Sequence, residues 1–237
     1  MLDRAANNTV SVVIAAAGRG ERLGLGVPKA FATLAGEPIV MRTLRLCASV
    51  GLFGRAVVAV PESHVVQFCD LLAEGAPWPF RVDSVIGGED RQESVSLSLA
   101  MLGDDCDIVV IHDAVRPLAS SELFSACVET ARRSGAAVSA VPVRDTLKRA
   151  AGGRVSATVD RRGLWMVQTP QAFRVSLIRE AHRRAAETGY RATDDAALVE
   201  RAGWAVQLVP GDEGNIKITE PGDLRYAELL VRFGRSS

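Results

Sequence analysis

Short β-rich runs recur along this chain at Val10–Ala15, Ala56–Val60, Val82–Ile86, Ile108–His112, Ala136–Val141 and Trp204–Val209. The early ones alternate with segments of helical periodicity. A run such as Ile108-Val-Val-Ile is apolar on both faces, which suits a strand covered from both sides and not one with a wet face. Helical spacing fits Ile39–Val50, His64–Glu74, Arg91–Leu102, Ser120–Ser134, Val175–Thr188, Asp194–Ala202 and Gly222–Phe233. Strand, helix, strand in succession implies βαβ crossovers and a mostly parallel arrangement.

The expected fold class is therefore α/β, a Rossmann-like three-layer sandwich with a mostly parallel central sheet. In such sheets ligands collect beyond the carboxyl ends of the strands. At 237 residues and 48% hydrophobic content, the chain can bury one full core, so residues 1–237 are read as a single domain. One stretch, 143–167, breaks the rhythm. Two short polar alternating strands meet there at Gly152 and Gly153, which is a hairpin signal. Its residues are too polar for the main sheet, so it is expected to protrude as an arm. Such an arm is either a surface excursion or an edge covered by a second subunit.

The 28 basic residues balance the 28 acidic ones, which leaves no electrostatic footprint for nucleic acid. The four cysteines are isolated, with no Cys-x-x-Cys pair, and read as reduced thiols. The start is polar and no run of about 18 apolar residues follows. No membrane association is expected, and the cytoplasm is the expected location.

Residues 12–31 run from a strand into a glycine-rich turn. Ala16, Ala17, Gly18 and Gly20 offer little or no side-chain bulk, so backbone N–H groups can approach anionic oxygens, while Arg22 and Lys29 add positive charge. The alternative is an ordinary tight turn. Gly-Lys-Ser and Gly-Lys-Thr are absent, which excludes a Walker A loop, and Leu23 stands where a dinucleotide fingerprint needs its third glycine.

Three further segments carry chemistry. Asp113 follows an apolar strand and precedes Arg116 and Pro117; it either forms a turn or offers a hard oxygen to Mg²⁺. Its neighbour His112 reads as a packed strand residue, since no second His or Cys stands near. Gly87-Gly-Glu-Asp-Arg-Gln-Glu-Ser-Val opens a helix, with Gly88 and Ser94 able to approach a flat base and Glu89 and Asp90 suited to the helix N-terminus. Lys217, in Asn-Ile-Lys-Ile-Thr, either reaches a phosphate or is solvated, and Thr193 is the expected cap of the helix after it in Thr193-Asp-Asp.

These segments, in this order, with Pro-Val-Arg-Asp-Thr-Leu-Lys-Arg and Thr-Val-Asp-Arg-Arg-Gly-Leu-Trp on the arm, resemble the 2-C-methyl-D-erythritol 4-phosphate cytidylyltransferases of the non-mevalonate isoprenoid pathway. The resemblance spans most of the chain, and the arm is its specific part. It implies CTP and 2-C-methyl-D-erythritol 4-phosphate as substrates, the cytidine diphosphate derivative and pyrophosphate as products, Mg²⁺ as cofactor, and a homodimer whose arms embrace. Ala16, Ala17 and Gly18 would line the nucleotide loop, with Arg22 and Lys29 on the triphosphate. Gly88 and Ser94 would contact cytosine, Asp113 would hold Mg²⁺ and Lys217 would face the α-phosphate. Thr146 and Arg161 would reach the acceptor bound to the neighbouring subunit, and Arg116 stands near that substrate. Gly214 replaces an Asp found in relatives, leaving Asp212 or Glu213 as candidate second carboxylates.

The acceptor's phosphate has a second pKa near 6 and is largely dianionic at neutral pH, so no general base is needed. Positioned cations are expected to dominate catalysis. The competing readings are a ribitol 5-phosphate or other polyol-phosphate cytidylyltransferase, a nucleotide-sugar glycosyltransferase and a non-catalytic nucleotide-binding protein. The arm speaks against the first, and the lack of an Asp-x-Asp pair at Asp113 against the second.

Overall fold

A computed structural model describes residues 9–18 and 26–234 of the chain. The elements in order are β1 (Thr9–Ala15), β2 (Thr33–Leu34), β3 (Glu37–Pro38), α1 (Ile39–Val50), β4 (Phe53–Val60), α2 (Val65–Glu74), β5 (Arg81–Ile86), α3 (Arg91–Ala100), β6 (Cys106–Asp113) and α4 (Ser121–Ser134). They continue with β7 (Ala136–Pro142), β8 (Leu147–Ala151), β9 (Arg154–Val159), β10 (Trp165–Arg174), α5 (Val175–Thr188), α6 (Asp195–Arg201), β11 (Gln207–Pro210) and α7 (Pro221–Phe233).

Seven strands form the central sheet in the order β11-β7-β10-β6-β1-β4-β5. All neighbours run parallel except β10, which is antiparallel to both β6 and β7. The two-sided apolar strands behave as their sequence requires. Val12, Ile14, Val58 and Val110 pack toward α1, α2 and α4, whereas Val13, Val57, Val109 and Ile111 pack toward α3, α5 and α6. That is the three-layer sandwich expected from the sequence.

Local signals set where the helices begin and end. Asp90 and Ser120 cap α3 and α4 through side-chain oxygens that accept from the N–H groups of Glu93 and Leu123. α1 closes at Gly51, whose φ of +70° lies in the left-handed region. The cap of α6 is Asp194, which accepts from the Ala197 N–H, and not the expected Thr193.

β10 has no counterpart in the sequence reading, and it crosses the middle of the sheet. Its pairing with β7 is interrupted between Val167 and Gln171, so Gln168 and Thr169 turn out of the ladder toward the sheet's carboxyl edge. The arm hairpin is a separate two-stranded sheet of β8 and β9, turning at Gly152 and Gly153 with φ of +54° and +75°. Its residues are nearly all exposed. The return limb rejoins the main sheet at Trp165, opposite Pro142.

Candidate active site

Parallel strands β1, β4, β5 and β6 end on one edge of the sheet, and the segments that follow β1, β5 and β6 line a cleft there. The loop after β1 is anchored by the Ala16 N–H to Ala59 O at 2.9 Å, and the loop after β5 by the Gly87 N–H to Val60 O at 2.9 Å. Both therefore hang from consecutive residues of β4. They also touch: a Cβ on Gly87 would stand 2.1 Å from that of Ala17. Gly87 is thus needed for loop-to-loop packing, a role the sequence reading did not give it.

The cleft has a volume of about 480 Å³ and is lined by Ala16, Ala17, Gly18, Lys29, Gly88, Ser94, Asp113 and Lys217, together with Arg91. Eight of the expected site residues thus converge from four separate parts of the chain. Arg22 lies outside the described residues. Thr146 and Arg161 sit exposed around the arm, away from the cleft of their own chain. Arg116 lies behind it, its Nη1 donating to Asn215 O at 2.6 Å and its Nε buried without a partner.

Electrostatics concentrate on Asp113. Arg91 Nε donates to one of its oxygens at 2.8 Å and Lys217 Nζ approaches the other at 2.6 Å. Burial alone would raise the Asp113 pKa, but the two cations overcome it and hold the carboxyl well below the usual carboxylate range. Ser94 Oγ accepts from the Gly88 N–H at 3.1 Å and donates to Asp90 O at 2.7 Å, which spends its hydrogen. His112 is buried, and desolvation pushes its pKa down to about 4. Because Arg116 O can only accept, Nε2 carries the proton toward it, leaving Nδ1 for the Thr169 hydroxyl, each at 3.0 Å. His112 is therefore a packed, neutral strand residue, as expected. No activated nucleophile or poised base lines the cleft among the described residues.

Neither substitute carboxylate joins Asp113. Asp212 turns one oxygen onto the Gly214 N–H at 2.7 Å, and Glu213 pairs with Arg144 at 2.5 Å near the arm. No cluster of three or more metal-ligating side chains occurs among the described residues. What the site offers is a carboxylate paired with two cations, in a cleft of nucleotide size that Glu89 and Asp90 also line.

The sequence model of the family described as "IspD: 2-C-methyl-D-erythritol 4-phosphate cytidylyltransferase" matches residues 10–233. The chain belongs to this cytidylyltransferase family. A 2-C-methyl-D-erythritol 4-phosphate cytidylyltransferase from Bacillus velezensis is 45% identical over 222 residues, covering 93% of this chain and 95% of that protein. One from Geobacillus kaustophilus is 44% identical over 223 residues, covering 92% and 95%. Among solved structures, the cytidylyltransferase of Thermus thermophilus superimposes with a TM-score of 0.78 at 38% identity, covering 94% of this chain and 99% of that one. The polyol-phosphate, glycosyltransferase and non-catalytic readings are not favoured by these matches.

Within this cytidylyltransferase, sequence reasoning missed four residues that hold the site together. Arg91 lies inside the quoted glycine segment and Asp195 inside Thr193-Asp-Asp, yet neither was assigned a task. Thr169 accepts from the Asp113 N–H at 3.0 Å. Gln168 holds the loop before Lys217 by donating to Asp212 O at 2.8 Å and accepting from Asn215 Nδ2 at 3.2 Å. The run Gln-Thr-Pro-Gln is polar and interrupted by proline, which hides a buried strand.

Proposed function

We propose that the cleft binds CTP and presents its α-phosphorus to 2-C-methyl-D-erythritol 4-phosphate. An oxygen of the acceptor's phosphate forms a bond to that phosphorus, the bond to the bridging oxygen breaks, and pyrophosphate leaves. The observation that carries this reading is the pairing of Arg91 and Lys217 with Asp113, in a cleft that Lys29 also lines and where no poised base stands among the described residues. The difficulty in this reaction is crowding of negative charge, and preorganised cations answer it.

The backbone of Ala16, Ala17 and Gly18 cradles the phosphates, with Arg22 and Lys29 neutralising the triphosphate. Gly88 and Ser94 contact the cytosine, and Lys217 turns to the α-phosphate. Asp113 is the residue that would hold Mg²⁺. With no group of three or more His, Cys, Asp or Glu side chains able to hold a metal among the described residues, Asp113 fits an ion whose remaining ligands are phosphate oxygens and water. Bound there, Mg²⁺ supplies charge neutralisation on the phosphates.

Thr146 and Arg161 serve the acceptor in the cleft of a second copy, and Arg116 orders the floor on that side. Support for a homodimer comes from the exposure of both arm residues. It comes also from the apolar surface at Leu164, Trp165, Met166 and Val167, which are 37–53% exposed where the arm meets the sheet. We read residues 1–237 as one domain carrying the arm, working in the cytoplasm. No helix among the described residues is long and apolar enough to cross a membrane.

A pyrophosphate-release assay crossing four nucleoside triphosphates with 2-C-methyl-D-erythritol 4-phosphate and ribitol 5-phosphate, with and without Mg²⁺, tests the reading. Activity is expected only for CTP with the methylerythritol phosphate and metal. Lys29→Ala and Arg22→Ala should each lower turnover by about 10² or more, as for loss of a charge-stabilising group. Mixed dimers of Lys29→Ala and Arg161→Ala protomers should regain activity. Equal use of ribitol phosphate, or no recovery in verified heterodimers, would overturn the corresponding part.

A further inference from the structure

Behind Asp113 runs a line of buried charge, from Arg91 to Asp195 and His182, whose last two members the proposed chemistry leaves unused. Arg91, at the first position of α3, spreads its guanidinium between two carboxylates. Nε donates to Asp113 Oδ1 at 2.8 Å and Nη1 to Asp195 Oδ2 at 2.6 Å. The second oxygen of Asp195 lies 3.3 Å from His182 Nε2. Asp195 and His182 have side chains only 1% and 5% exposed.

A buried carboxylate is costly unless its partners compensate it. The helix that carries Asp195 does not need it, because Asp194 already caps α6. Its partners are instead Arg91 and His182, and their joint effect is to fix the guanidinium. The two cations on Asp113 are thereby unequal. Arg91 is held at both ends, while the Lys217 side chain is 41% exposed on a loop. When an anionic nucleotide arrives, Lys217 is the cation free to change partners and Arg91 the one that stays.

We propose that Arg91, locked by Asp195, is a positioning residue for the transfer: it clamps one oxygen of Asp113 so that the other is presented, on release of Lys217, to the divalent cation of the nucleotide. The inference rests on Asp113 being the cation's ligand. Arg91 suits the task because a planar fork can hold two carboxylates in a fixed relation, and a lysine's point charge cannot.

The test measures Mn²⁺ binding in the presence of CTP without acceptor, by electron paramagnetic resonance, in the wild type, Arg91→Lys, Asp195→Asn and Asp113→Asn. CTP binding without metal and steady-state kinetics follow for the same proteins. Loss of a partner that orients a metal-binding group weakens metal affinity by about 10- to 100-fold. Arg91→Lys and Asp195→Asn are expected to show that loss, with kcat reduced, metal-free CTP binding within about threefold of wild type and KM for the acceptor unchanged. Arg91→Lys keeps the charge, so it separates clamping from neutralisation, and it decides alone if Asp195→Asn fails to fold. Wild-type Mn²⁺ binding in Arg91→Lys, with loss in Asp113→Asn, overturns the clamp and leaves the cation site standing. Unchanged binding in Asp113→Asn removes the cation site itself.

Discussion

Replacing Gly87 with Ala is expected to disable nucleotide use while leaving the chain folded. The new Cβ would stand 2.1 Å from the Ala17 Cβ and 2.8 Å from Ser94 Oγ, whereas ordinary contact begins at 3.4 Å. The loops must therefore separate by 3.4 minus 2.1, or about 1.3 Å. Neither can swing aside freely, since both are tied to neighbouring residues of β4 through Ala59 O and Val60 O. Overpacking of this kind costs about 1–3 kcal/mol, out of a typical total of about 5–15. At about 2–4 °C per kcal/mol for a chain of this size, Tm should fall by about 2–12 °C. Displacement by an ångström at a reacting centre costs about 10², so kcat/KM for CTP should fall by that factor. The double variant Ala17→Gly/Gly87→Ala leaves Ala17 Cα as the nearest atom of that residue, at 3.6 Å, and should recover about tenfold. Gly54→Ala, with nothing within 4 Å, is the control. Pyrophosphate release and thermal melts read both effects. Wild-type kcat/KM in Gly87→Ala, or a double variant worse than its two singles combined, would refute the loop contact as the cause.

Two further outcomes follow from burial. His112 is held near pKa 4 against its ordinary 6.5, so the folded state resists its protonation; stability is fully present above pH 6.5 and declines as pH falls toward 4, by about 3 kcal/mol across that interval. Urea melts in divalent-free buffer should show that slope and His112→Gln should flatten it; parallel profiles would refute the assignment. Replacing residues 147–159 by a short Gly-Ser turn removes an exposed sheet that the main one does not pair with, so CTP binding should hold while acceptor use collapses; loss of CTP binding would show that the arm shapes its own chain's cleft.

The apolar strands were legible because a parallel sheet buries both faces, leaving Val-Val-Ile and Ile-Val-Val-Ile no other place to go. Asp113, Ala16–Gly18 and Gly87–Ser94 were legible as parts of one cleft because each lies at or just past the end of a strand of the parallel sheet, where this architecture puts its ligand. β10 was not. Its centre carries Gln168, Thr169, Pro170 and Gln171, which read as a turn; three of these are buried only because tertiary partners satisfy them. Thr169 takes the Asp113 N–H, Gln168 the 212–215 loop, and Gln171 Asp194. The last strand was placed too early. Trp204 instead closes α6, its N–H donating to Val199 O and its ring lying under Arg184 at 4.9 Å.

The break in β10 and the unassigned Arg91–Asp195 pair share a cause that also explains how the site stays rigid. Both join segments distant in sequence, the latter across 104 residues, and no periodicity encodes such a contact. Yet these contacts immobilise what the strand ends only present. Thr169 holds the backbone of Asp113, Arg91 holds its carboxylate, and Gln168 with Asn215 holds the loop that delivers Lys217. Chemistry that depends on fixed charge rather than on a titrating group needs such bracing, because a mobile cation stabilises the ground state as readily as the transition state. The residues that line the cleft could therefore be read from local pattern, while the residues that brace them had to come from elsewhere in the fold.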